Sequence, residues 1–168
     1  MRIGVGIVIP LAAAVLQVTA LRYLVAGEVT PDLVALVAVA WTLIAGPGEG
    51  IWWAFAGGLV ADLLGGSALG ATTVALLPVT LAFGLRDRSA GEPAVLPAAA
   101  LIGLGAAAHQ AVLAVVLLAV GRALPPFGLM VGLALGAGIY TGTLALLMYP
   151  VLRLLHRRTA RGPAFEWK

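Results

Sequence analysis

Apolar positions along this chain fall into six long runs, at about 3–25, 33–45, 50–64, 68–85, 95–120 and 128–155. Between them stand short polar or turn-forming pieces: "AGEVTPD", "AGPGEG", "GGS", "RDRSAGEP" and "GRALPPF". Long apolar runs with few charges read as helices, so the pattern predicts an all-α chain. No connecting piece is long enough for a folded domain outside the bundle. The expected organisation is a six-helix domain over residues 1–155 followed by a short, basic, disordered tail over 156–168.

Composition turns those helices into membrane helices. Hydrophobic residues make up 62% of the chain and charged residues 10%, where a soluble domain carries about 25% charged. The expectation is a polytopic membrane protein with six transmembrane helices. A helix needs about 20 residues to cross the hydrocarbon core, and the second and third runs offer 13 and 15. They either cross with their ends sheltered by neighbours or form a re-entrant hairpin turning at Gly46-Pro47-Gly48. The opening "MRIGVGIVIPLAAAVLQVTA" has the form of a signal peptide, but its apolar run continues to Val25 and reads as an uncleaved first span.

Charge placement sets the orientation. With six crossings, one side receives Arg2, Arg86, Arg88, Arg153, Arg157, Arg158, Arg161 and Lys168, and the other only Arg22 and Arg122. Positive residues collect on the cytoplasmic side, so both termini are expected there. Trp41, Trp52, Trp53, Phe83 and Tyr149 are expected at the inner interface, Tyr23 and Phe127 at the outer one. The Arg86-Asp87-Arg88 group reads as a solvated inner loop. The net charge of +3 sits at the ends of apolar runs and gives no sign of nucleic-acid binding. Without cysteine there is no disulfide, thiolate metal site or cysteine nucleophile.

Small residues recur at helical spacing. Gly50, Ala54, Gly57, Ala61 and Gly65 share one face of the third helix. Gly128, Gly132 and Gly136 form a GxxxGxxxG ridge on the last, with Gly138 and Gly142 a second. Such faces allow close backbone approach where lipid gives no hydrophobic push. They are expected to hold the chain's own bundle together, with a partner helix as the other occupant.

Three polar groups interrupt the apolar runs. Asp62 lies near the outer end of the third helix, where an acid is costly unless it faces the protein interior. It is expected to accept hydrogen bonds from the exposed N–H groups opening the fourth helix, a proton or cation site being the alternative. His109 and Gln110 stand mid-way along the fifth helix. They are expected to bond a neighbouring helix, through Gln17 or Tyr140, or else to line a polar cavity for a solute. No second His or Cys stands at ligand spacing, so neither metal nor cofactor is expected. Ser67 with His109 suggests a membrane serine protease, but Ala68 stands where that chemistry's motif has glycine. No nucleophile, base and oxyanion set assembles, and the chain is expected not to be an enzyme.

The order of motifs over residues 30–70 resembles the rod-shape-determining membrane protein family MreD. "TPDLVALVAVAWTL" is followed by "GPGEGIWWAFAGGLVADLLGGSALG". The matching positions are Pro31, Asp32, Leu33, Trp41, Gly50, Gly58, Leu59, Asp62, Gly66, Leu69 and Gly70. The family's Tyr-Trp pair is Ala40-Trp41 here. The resemblance implies a non-catalytic scaffold of the bacterial cell-wall elongation complex in the cytoplasmic membrane. It also implies an MreC-like single-pass partner and, through it, MreB, RodA and a class B penicillin-binding protein. The family is similar in fold to the S components of energy-coupling-factor transporters, so the competing reading is a vitamin-binding subunit.

Overall fold

The computed structural model describes residues 3–19, 29–66, 68–86 and 91–160. Arg2, Arg22, Tyr23, Ser67, Asp87, Arg88, Arg161 and Lys168 lie outside the described residues. The elements are α1 (Ile3–Thr19), α2 (Leu33–Ala45), α3 (Pro47–Gly65), α4 (Ala71–Gly84), α5 (Val95–Ala119) and α6 (Phe127–Ala160). Among the described residues there is no strand. α5 and α6 are long and apolar enough to cross a membrane by themselves.

The architecture follows from α2, which touches every other helix. Around it run α1, α3, α4, α5 and α6, each packed on the next, while among the described residues α6 and α1 do not meet. A helix that is apolar on all sides can face protein or lipid, and α2 faces protein: every residue from Val34 to Ile44 is buried. At 1.5 Å per residue its 13 residues span about 20 Å, too short to cross the hydrocarbon unaided. Protein, not lipid, surrounds it.

α3 is longer than its apolar run suggests. Proline favours the first turn of a helix, where its missing N–H is no loss, so α3 begins at Pro47 and reaches 19 residues. That is about 28 Å, close to a full crossing. Gly46 makes the turn between α2 and α3 with φ 105°, a value in the region that favours glycine. At the far end Gly66 (φ 66°) caps α3 and Gly70 (φ 85°) opens α4. α6 continues to Ala160, so residues 156–160 of the expected tail are helical.

The aromatic residues divide by burial. Trp41, Trp53 and Tyr149 are fully buried and are not part of a lipid-facing belt. Trp41 and Trp53 stack at 4.0 Å between ring centroids, Trp41 Nε1 donates to Glu49 Oε2 at 2.8 Å, and His156 meets Trp41 edge-on. Of the expected inner aromatics, Trp52 is the one with an exposed ring. Phe127, expected at the outer interface, is exposed. Near the same end as the stacked indoles, Tyr149 donates to the Pro93 carbonyl, and Glu92 accepts from Arg153 Nε at 2.5 Å.

Candidate functional site

The polar residues of the bundle's middle converge on the first turn of α2. This helix begins inside the protein, so its orphan N–H groups cannot turn to water. Asp32 is the N-cap and accepts the Ala35 N–H through Oδ1 at 2.9 Å. Gln17 Oε1, from α1, accepts the Val34 N–H at 2.9 Å. The Asp32 N–H donates to Thr141 Oγ1 of α6 at 2.9 Å. Pro31, buried just before, holds the chain extended into the cap.

The second carboxylate oxygen, Oδ2, lies 2.5 Å from His109 Nδ1 of α5. Both residues are only 1% exposed. The carboxylate already accepts from the α2 backbone, so Nδ1 donates. An acid in the positive field of a helix N-terminus with a charge-assisted acceptor bond is about as well placed as a buried acid can be. His109 Nε2 points toward the first turn of α4 near Thr72 and makes no well-formed hydrogen bond. On the far side of that turn, the Thr72 N–H reaches both oxygens of Asp62 at 3.2 and 3.1 Å.

Gln17, Asp32, Asp62, Thr72, His109 and Thr141 thus come one from each helix or helix cap. They form a chain of polar groups through the whole bundle. The Asp62 carboxylate closes the loop between α3 and α4 much as an N-cap would. His109 finds Asp32, not Gln17 or Tyr140 as the sequence reading expected. Gln110, next along α5, faces away and lines a different space, a groove between α5 and α6. The two residues therefore do not share one cavity.

The glycines divide as sharply. A Cβ on Gly58 would lie 2.9 Å from the Thr73 Cα, and one on Gly50 2.8 Å from the Thr42 Cβ, so each admits a neighbouring helix. Gly57 meets Val34 at 3.0 Å. The last helix departs from expectation. Gly128 and Gly132 have open space where a Cβ would sit, and Gly136 faces Val29. A Cβ on Gly136 would meet the Val29 side chain at 2.9 Å, whereas at the second ridge the contact is with backbone: a Cβ on Gly138 would lie 2.8 Å from the Gly103 carbonyl oxygen. Gly103 was not singled out in the sequence, since the two glycines of α5, Gly103 and Gly105, stand two apart and form no ridge at helical spacing. Gly65 likewise has open space around it, and Gly66 and Gly70 serve the turn conformations already described. Leu69 lies exposed between those two turns.

A family model described as rod shape-determining protein MreD matches residues 1–159. Neither a curated protein nor a solved structure matches the chain.

Proposed function

Because the chain belongs to the MreD family of rod shape-determining proteins, we propose that it is a non-catalytic scaffold of the cell-wall elongation complex, packing against an MreC-like single-pass protein. Through that protein it is linked to MreB, RodA and a class B penicillin-binding protein. The observation that carries the scaffold reading is the use made of the buried polar groups. Gln17 and Asp32 accept the first N–H groups of α2, Thr141 accepts the Asp32 N–H, and Asp32 accepts a hydrogen bond from His109 Nδ1. Those side chains are occupied in joining helices.

Charge distribution supports six crossings of the bacterial cytoplasmic membrane with both termini inside. Arg86, Arg153, Arg157 and Arg158 belong to the end of the bundle where α4 and α6 finish and α5 begins. The anchoring of Glu92 to Arg153 ties that end together. Arg122 stands at the opposite end, in the α5–α6 connection.

The competing reading, a vitamin-binding subunit with an S-component-like fold, draws on the short α2 whose N-terminus lies inside the bundle, a feature of transporter sites. It requires those polar groups to face a solute. The test is purification of the tagged full chain from the membranes of its own cells. The scaffold reading expects an MreC-like protein in stoichiometric yield. A stoichiometric small metabolite with no such protein would overturn it.

A further inference from the structure

α5 carries two polar side chains in 25 residues, His109 and Gln110, and the network uses only the first. The Gln110 amide has no hydrogen-bond partner among the described residues. It stands at one end of a groove of about 440 Å3 that opens between α5 and α6 beyond their glycine crossing. Leu113, Leu117, Leu124, Phe127 and Met130 line the groove, and Ala111, Ala114 and Ala134 contribute small side chains. Lipid acyl chains would fill such a space yet leave the amide unsatisfied, at a cost of several kcal/mol in hydrocarbon.

An occupant that meets both demands is apolar along most of its length and offers a donor or acceptor at the depth of Gln110. A transmembrane helix does so. Polar side chains join helices across lipid, and small residues let a second backbone come close. A second copy of this chain would present the same concavity by two-fold symmetry, and two concave faces do not fill one another. We propose that the α5–α6 groove seats one transmembrane helix of a partner protein, with a Ser, Thr, Asn or Gln side chain bonded to Gln110. This rests on the scaffold reading and assigns it a surface.

The absence of cysteine makes introduced thiols unique. Leu117→Cys and Val131→Cys place one in the groove, and Val74→Cys places one on the exposed face of α4 as a control. Each full-length variant is co-expressed with the MreC-like protein carrying single cysteines along its membrane segment, and the membranes are oxidised. Cross-links from both groove positions, repeating every three to four residues of the partner and absent from Val74→Cys, are expected. Co-purification without groove cross-links would overturn the groove assignment and leave the scaffold reading standing. Groove cross-links between two copies of this chain would overturn it in favour of self-association. Failure of the unmodified pair to co-purify would remove the scaffold reading, and the proposal with it. In parallel, Gln110→Leu is expected to weaken capture of the partner about threefold or more while leaving the melting temperature of the isolated protein unchanged or raised. A lowered melting temperature with unchanged capture would show that Gln110 serves only this chain's fold and overturn the proposal.

Discussion

The bundle joins its helices by two opposite means. At the head of α2, side chains from α1, α5 and α6 meet its first turn through directional bonds, and Asp32 alone engages α5 and α6. At the crossing of α5 and α6 there are no side chains to speak of. Gly103, Gly138 and Gly142 let backbone lie on backbone, with a Cβ on Gly103 falling 2.7 Å from the Gly138 carbonyl oxygen. Lipid exerts no hydrophobic pressure between helices, so attraction must come from polar bonds or from close fit. The two joins are expected to fail differently. Breaking the first strands a buried polar group, and breaking the second creates a collision.

The largest effect is expected at the polar join. Asp32→Leu removes the N-cap and leaves His109 buried beside hydrocarbon, and loss of one partner of such a pair costs about 3–5 kcal/mol. The thermal midpoint of the detergent-purified protein should fall steeply. A midpoint like that of the unaltered protein would remove Asp32 from the centre of the fold. Next comes the glycine join. Gly103→Ala should cost about 1–3 kcal/mol through overpacking, because the atom it meets is backbone and cannot swing aside. An unchanged midpoint would mean that α5 and α6 are not in close contact.

Asp62 separates acceptance of a hydrogen bond from charge. Asp62→Asn keeps an oxygen for the Thr72 N–H and gives up mainly the interaction with the α4 N-terminus, about 0.3–1 kcal/mol. Asp62→Leu gives up both and should destabilise more. Equal midpoints for the two variants would contradict the bridge from α3 to α4. The smallest effect belongs to the outlying ridge. Gly128→Ala meets nothing within 4 Å and should leave stability within about 0.5 kcal/mol or raise it by up to about 1, the helix propensity gain. A marked loss would return Gly128 to the packing role its GxxxGxxxG spacing suggests.

That spacing shows where sequence reasoning stops. Two glycine ridges on α6 carry equivalent motifs, and only the position of α5 decides that Gly138 and Gly142 meet Gly103 while Gly128 and Gly132 do not. The helices themselves were legible because long apolar runs have few other outcomes. α2 was legible to the residue, bounded by an acidic cap and a glycine turn. The start of α3 was misread because Pro47-Gly48-Glu49-Gly50 has loop composition, although proline also opens helices. Burial of Trp41, Trp53 and Tyr149 was hidden for a related reason. When every face of a helix is apolar, hydropathy does not say which face looks inward. The pairing of Asp32 with His109 spans 77 positions and leaves no local trace. Its only hint is that a chain so poor in polar groups must match those it buries.

The central claim is that Asp32 and His109 join α2 to the bundle. A double-mutant cycle over Asp32→Leu, His109→Leu and the combined variant, read as thermal midpoints of the purified full chain, tests it most directly. The account predicts that the combined variant is markedly more stable than the sum of the single losses requires, because neither polar group is then left alone. Additive losses would contradict it.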